Sequence, residues 1–430
     1  MKFIFLFALL AAPFVTLAED SVVQEVPGIS VETLVAEVLK NNPDLLIAEA
    51  EVAAARGERR AAGQWKNPEV TAEYGEKRVA ERATGNLAAE GNAQRYSIGQ
   101  IFEFPGKASL RKAIKDHNIH LAEISLAQLK LEVVARVRSL AVEWLVSDRE
   151  ATAAREVADR SETLVQMLSK RAPAGAQLLL DQRIIEASMV GILTEAREAE
   201  ERREMVRIGL NVLRGTPADT NLNIQASLEP PVFQKNWDTL KEQAETASLL
   251  LKARVIELER ADKSLSHARL GAAPDITIGP FFSQENAADR ERGLGLGVTL
   301  PLPLWDSNRG QVDVAKAGIS AAQARHAQAL RDTERELAQE YAAYQLSQKQ
   351  LDKTPMSLLG RLGDAAELAD RQYRLGAVSV QTYLDMQTGY LEATKGILSA
   401  IQETHERLLK IQVITNDQAL QVKVTKEDAL

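Results

Sequence analysis

Gly293-Leu294-Gly295-Leu296-Gly297-Val298-Thr299-Leu300-Pro301-Leu302 sets an apolar side chain at every even position and a glycine, threonine or proline at every odd one. Successive side chains of an extended chain point to opposite faces, so this stretch reads as a strand with one apolar face and one face of small residues. Upstream, Ile276, Ile278 and Phe282 alternate with Asp275, Thr277 and Gly279. The polar tract Gln284–Arg292 between the two makes a hairpin of strands at about 274–283 and 293–302. A second hairpin is written earlier. Val70, Ala72 and Tyr74 oppose Glu69, Thr71 and Glu73, and across the polar tract Lys77–Ala93 the residues Tyr96, Ile98, Phe102 and Phe104 oppose Ser97, Gly99 and Glu103. Gln100 and Ile101 interrupt the two sets, and the strands are expected at about 68–76 and 95–104.

A soluble two-layer sheet would give the same alternation. Two features favour a membrane. The hairpins are isolated, more than 150 residues apart and joined by helices too long for a compact α+β domain. The apolar positions also include Tyr74, Tyr96, Phe102, Phe104, Phe281 and Phe282, placed like an interfacial girdle. Val70, Tyr74, Tyr96, Ile98, Phe102, Ile276, Ile278, Leu296, Val298 and Leu300 then form the expected lipid face. Four strands cannot close a barrel, and open edges are not tolerated in lipid, so the membrane reading forces an oligomer: two chains give eight strands, three give twelve.

The rest of the 430-residue sequence agrees with an exported helical protein. Lys2, the apolar run Phe3–Leu10 and Thr16-Leu17-Ala18 have the layout of a signal peptide cleaved after residue 18. A membrane anchor is disfavoured, because the run is short and Glu19 and Asp20 follow at once. The formal charge of −8, or −9 once Lys2 is removed, argues against a nucleic-acid partner. There is no cysteine, hence no disulfide framework. Aromatic residues make up only 5%, which suits long helices packed through small side chains.

The chain reads as a duplication. At a shift of 206, Val31–Leu34 meets Trp237–Leu240, Ala62 meets Ala268, and Pro68-Glu69-Val70 meets Pro274-Asp275-Ile276. Gly99–Phe102 is aligned with Gly297–Leu300, Pro105 with Pro303, and Gly175-Ala176 with Gly376-Ala377. Each half has one plan: an opening helix, two strands, a very long helix, a tight turn and another long helix. In the first half these helices are expected at 31–64, broken at Asn42-Pro43, then at 107–171 and 177–213. In the second they fall at 310–374, with a kink at Thr354-Pro355, and at 379–414. The expected divisions are a signal peptide 1–18, a first repeat 19–215, an equatorial linker 216–236, a second repeat 237–415 and a tail 416–430.

At this point the chain resembles the outer-membrane efflux protein family, the TolC type. The resemblance rests on the Asn-Pro opening helix, on Pro68 and Pro274, on Gly297-Val298-Thr299-Leu300-Pro301-Leu302-Pro303-Leu304-Trp305-Asp306-Ser307-Asn308-Arg309-Gly310 and on the turn Leu375–Asp385. Phe102-Glu103-Phe104-Pro105-Gly106-Lys107 is similar to the heavy-metal (cobalt–zinc–cadmium) subgroup. The resemblance implies a homotrimer with one twelve-stranded outer-membrane barrel, continued by a periplasmic α-helical barrel of coiled-coil hairpins. It implies a periplasmic membrane-fusion adaptor and an inner-membrane pump as partners, beside outer-membrane lipid. Gly175, Ala176, Leu375, Gly376 and Ala377 would be the adaptor-docking tips, although Arg171-Ala172-Pro173-Ala174 lacks the bulky residue the family more often has before the glycine. The family commonly carries two acidic residues on its inner helix at the tip. Here the first position is Thr382 and Asp385 remains, so the expected periplasmic gate is Asp385, Thr382 and Asp181.

Three copies of Asp385 around a closed tunnel end would favour cations, whereas the plainer reading is an aspartate near a helix start, favoured by the dipole. His117 and His120 have ligand spacing on a helix but no third ligand in sequence, and exposed histidines are the simpler reading. No nucleophile triad, phosphate loop or cofactor fingerprint is present, so neither catalysis nor a cofactor is expected. The rival to a passive duct is a periplasmic coiled-coil scaffold or adaptor with a soluble β domain.

Overall fold

The computed structural model describes residues 28–170, 176–229 and 233–420; the expected signal peptide and Gly175 lie outside them. The first half runs β1 (Ile29–Ser30), α1 (Val31–Asn41), α2 (Pro43–Ala62), β2 (Glu69–Ala80), β3 (Leu87–Phe102), α3 (Lys107–Lys170) and α4 (Ala176–Arg214). The second runs β4 (Ile224–Gln225), α5 (Trp237–Ala247), α6 (Leu249–Leu270), β5 (Ile276–Ala287), β6 (Asp289–Thr299), α7 (Arg309–Lys353), α8 (Ser357–Arg374) and α9 (Val380–Ile414).

Local chemistry sets the helix ends, and the same positions recur in both halves. Ser30 Oγ accepts from Thr33 N to start α1, and Asn236 Oδ1 accepts from Thr239 N to start α5. Asn42 ends α1 in an extended conformation and its Oδ1 caps α2 at Asp44 N, with Pro43 supplying the first helical residue. Ser248 stands at the matching junction of α5 and α6. The C-terminal ends match too. Gly215, at φ 70, closes α4 through Thr216 N to Asn211 O, and Asn416, at φ 48, closes α9 through Asp417 N to Gln412 O.

Each opening helix buries one apolar stripe. Leu34, Val35 and Val38 of α1 pack with Val134, Val137 and Leu140 of α3 and Leu210 of α4. Leu240 and Ala244 of α5 pack with Leu337 and Tyr344 of α7 and Leu408 and Ile411 of α9. Removing a fully buried leucine such as Leu34 from such a cluster costs about 2–5 kcal/mol. Beside the first cluster β1 and β4 pair in parallel, Ile29 opposite Ile224. The expected linker 216–236 therefore contributes a strand of its own.

At 64 residues α3 is about 96 Å long. The matching leg of the second half is broken outright and not merely kinked. α7 ends at Lys353, Thr354 adopts φ −123 and ψ 67, and α8 restarts at Ser357. Proline disfavours the helical region for the residue before it, and Thr354 leaves it.

The two hairpins are not isolated. β3 pairs antiparallel with β5, joining them into one sheet of order β2-β3-β5-β6. At the hairpin turns the strands run beyond their expected ends, to Ala80 and Ala287 and back from Leu87 and Asp289, while at the helical end they are shorter than expected, starting at Glu69 and Ile276 and stopping at Phe102 and Thr299. Cross-strand charge pairs replace the apolar signal there. Lys77 bonds Glu285 and lies 3.6 Å from Glu291, and Arg78 Nε donates to Glu90 Oε1 at 3.0 Å. Tracts that looked like loops are thereby strand.

The register also displaces part of the expected internal alignment. Thr71 faces Ser97, and Thr277, 206 residues on, faces Thr299, so Ser97 corresponds to Thr299. The glycine-based match of Gly99 to Gly297 is four residues out of step with the sheet. Identical residues drew the sequence match, whereas the ladder is set by backbone pairing.

Candidate functional site

Two regions present side chains with nothing in the chain to explain their arrangement: one face of the sheet and the far tip of the helices.

Across the sheet the register builds continuous rows. Val70 lies beside Ile98, and Pro280 beside Leu296. Ala72, Tyr96, Phe282 and Leu294 form the next row, and Ile278 faces Val298. These rows are open to the surroundings: Val70 is 75% exposed, Tyr74 71%, Leu294 83%, Leu296 75% and Val298 68%. Tyr96, Ile98, Phe102, Ile276, Ile278 and Leu300 are exposed as well. Nine of the ten positions singled out from alternation thus share one uncovered apolar face, an area far beyond a scattered surface leucine, and Leu300 follows directly on β6. Trp65, edge to face with Phe102 at 5.7 Å, and Trp305 flank its helical end.

Phe281 is not part of it. The pleat turns it to the opposite face, over Gly295, with the Arg95 guanidinium 4.8 Å from its ring. Two consecutive phenylalanines in a strand cannot share a face. That opposite face carries Glu69, Thr71, Glu73, Arg95, Ser97 and the small residues of β6, and is polar. The outer strands β2 and β6 each pair on one side only.

The tip of the second half is built around a tight turn. Gly376 sits at φ 75, a conformation a side chain would strain. Ala377 N then donates to Gln372 O and Gly376 N to Tyr373 O, closing α8. Ser379 caps α9 through Thr382 N, and the Ser379 and Thr382 hydroxyls lie 3.0 Å apart. Leu375, Gly376 and Ala377 are exposed at the end of the turn, Leu375 by 77%. Thr382 and Asp385 are exposed on α9, where Gln381 Nε2 donates to Asp385 Oδ1 at 2.7 Å. Asp181 lies half-buried in the first turns of α4. Ala176 opens α4, while Gly175 falls outside the described residues.

Behind this surface lies a set of buried polar groups that sequence reasoning passed over. Arg374 donates to both oxygens of buried Asp370, at 2.8 and 3.2 Å. Tyr383, fully buried, stacks on Tyr373 and its hydroxyl meets Ser161 Oγ of α3 at 3.2 Å. Burial pushes the Tyr383 phenol above its ordinary value. Gln387, also fully buried, donates to Ala366 O of α8 at 2.8 Å. The i,i+4 spacing of Asp370 and Arg374, and a tyrosine on each side of Gly376, were the available signals. Together these contacts clamp α8, α9 and α3 beneath the exposed turn.

Among the described residues no three histidine or acidic side chains gather as a metal would require. His117 and His120 meet edge to face, and His117 Nδ1 lies 3.7 Å from Glu259. Among the described residues no helix is long and apolar enough to cross a membrane. The apolar face of the sheet is a separate matter, since strands alternate and need no continuous apolar run.

Comparison with known proteins matches this fold. The model of the outer membrane efflux protein family fits residues 34–187 and 240–417. The chain is 22% identical over 312 residues to the cobalt-zinc-cadmium resistance protein CzcC of Cupriavidus metallidurans, covering 73% of this chain and 74% of that protein. It is 27% identical over 312 residues to the nickel-cobalt-cadmium resistance protein NccC of Alcaligenes xylosoxydans xylosoxydans, covering 70% and 66%. The Campylobacter jejuni CmeC outer membrane channel superposes with a TM-score of 0.70 at 15% identity, over 90% of this chain and 85% of that one.

Proposed function

The chain belongs to the outer membrane efflux protein family, and from that premise we propose that it is one of three identical subunits of a passive efflux duct. The carrying observation is the four-stranded sheet: an uncovered apolar face outward, a polar face behind it, and two unpaired edges. Its strands of 11 to 16 residues meet or exceed the 9–11 or so that span a bilayer. Edge pairing with further copies satisfies the ladder that lipid would leave bare. Three copies make twelve strands, with the apolar rows against outer-membrane lipid and the polar face lining a lumen.

The helices then continue the duct through the periplasm. Its unit is a duplicated one, repeats 19–215 and 237–415 about the linker 216–236, a reading supported by capping residues that recur between the halves. The second apolar stripe of α4, including Val190, Leu193, Met205 and Val212, is exposed and suits packing against a neighbouring copy. At the far end the exposed turn 375–377, with Gly175 and Ala176 of the first half, would receive a membrane-fusion adaptor bound to an inner-membrane pump. Asp385, with Thr382 and Asp181, would ring the closing end and favour cations. Heavy-metal cations are the cargo class we propose, because the two resistance proteins are named for cobalt, zinc, cadmium and nickel. No catalytic step is involved; the pump drives transport.

Planar-bilayer recording of the purified protein tests this reading. A trimer that inserts and conducts cations is expected, with Asp385→Lys lowering cation conductance. A soluble monomer that leaves bilayers intact would sink the duct and favour a periplasmic scaffold. A conducting trimer unaffected by Asp385→Lys would keep the duct and remove Asp385 from its gate.

A further inference from the structure

Inside one chain, the seam between the two hairpins is pinned where sheet meets helix. Leaving β3, the chain turns through Gly106 at φ 97 and starts α3 at Lys107. Lys107 Nζ donates to Asp275 Oδ1 at 2.8 Å and to Ala273 O at 2.6 Å. Phe104 N donates to the same Asp275 oxygen at 3.0 Å. Asp275 directly precedes β5, the strand on which β3 lies. The start of a long helix is thereby locked to the start of the next strand in the sheet.

The second half carries the same parts at its own free edge. β6 corresponds to β3 through the register that matches Ser97 to Thr299. Beyond it, Asn308 stands where Gly106 does, again at positive φ (59), and α7 begins at Arg309 where α3 begins at Lys107. A carbonyl in the last turn of α2 and of α6, at positions 206 residues apart, is reached by a side chain from beyond the hairpin: Ala62 O by Arg111 Nε at 3.0 Å and Ala268 O by Asn308 Nδ2 at 2.6 Å. Glu69 opens β2 as Asp275 precedes β5, within the matching Pro68-Glu69-Val70 and Pro274-Asp275-Ile276.

Arg309 and Glu69 are both exposed, and among the described residues neither has an ion pair or a side-chain hydrogen bond. They cannot meet within one chain. They sit at opposite edges of a four-stranded sheet, three strand spacings or about 14 Å apart across the ladder. We propose that Arg309 of one copy pairs with Glu69 of the next, repeating at each subunit seam the Lys107–Asp275 junction found within the chain. The guanidinium and carboxylate carry the same signs in the same order as the internal pair, on longer side chains. The inference rests on the trimer reading, and it specifies which residues make the seam and how β6 meets β2.

The test uses the full chain in detergent. Native mass spectrometry of the unmodified protein fixes the oligomer first. Glu69→Arg and Arg309→Glu are each expected to lower the fraction of trimer surviving mild heating on a semi-native gel, and the double reversal to restore most of it. Because the chain has no cysteine, Glu69→Cys with Arg309→Cys can be joined by a short bis-maleimide, which should give covalent dimers and trimers. Lys107→Cys with Asp275→Cys should instead cross-link within one chain. A trimer with neither rescue nor an inter-chain ladder overturns the pair and leaves the trimer standing. A protein that is monomeric before any substitution overturns the trimer itself, and the pair with it.

Discussion

The two long legs of this protein start from matching junctions and end differently. α3 runs 64 residues without interruption, whereas its counterpart stops at Lys353 and resumes at Ser357 as the 18-residue α8. The unbroken leg holds its line through a run of small buried residues, Ala151, Ala153, Ala154 and Ala158, against neighbouring helices. The broken leg cannot rely on helical continuity. Its tip segment is held by specific groups instead: the Asp370–Arg374 pair, Tyr373 on Tyr383, and Gln387 on Ala366 O. A continuous helix transmits position along its axis. A detached segment must be fixed side chain by side chain, and those side chains are where it can be released.

That contrast can be broken most sharply at Tyr383. Tyr383→Ala empties a fully buried site and should destabilise the second-half tip by about 4 kcal/mol. Hydrogen exchange should accelerate in residues 357–395 and leave the sheet unchanged; equal acceleration along α3 would mean the tip is not a separate unit. The converse change writes the second leg's break into the first. Ala153→Pro, in the buried face of α3, should cost about 3 kcal/mol and show as exchange confined to the α3 segment around it.

Smaller changes separate the clamps from one another. Asp370→Asn leaves the Arg374 guanidinium without a charged partner in a largely buried place, about 2 kcal/mol by chemical denaturation. Ser379→Ala removes the cap of α9 and should cost about 1 kcal/mol, read as fraying of the first turn near Thr382. The smallest effect lies at His405 on α9, away from the tip. Burial holds its imidazole below the ordinary value. The unfolded chain therefore takes up the proton first, and this contribution to stability is lost as pH falls through about 6.5. Melting at pH 7.5 and pH 5.5 should differ less for His405→Gln than for the parent protein.

Much of the fold could be read locally. Asn42-Pro43 marked a helix boundary because both effects, a side-chain cap and a missing donor, act within three residues. Alternation in 293–299 separates the two faces of β6 because the pleat is local, and the same rule, applied strictly, would have kept Phe281 off the apolar face. The turn at Gly376 was legible for the same reason, whereas the buried pair Asp370–Arg374 looked like any solvated i,i+4 couple. Whether such a pair is buried depends on the helices around it, and nothing in its spacing says so.

What the sequence determined by itself was the set of elements and their faces: two strand pairs, long helices, their caps and an apolar side to each strand. These follow from side-chain periodicity and backbone preference over a few residues. Tertiary structure alone decided that β3 pairs with β5, that charged tracts extend the strands, and that the internal match shifts by four residues. Pairing between strands far apart in the chain is fixed by backbone hydrogen bonds whose partners no local pattern encodes. The same pairing leaves β2 and β6 as the free edges, with Glu69 and Arg309 beside them.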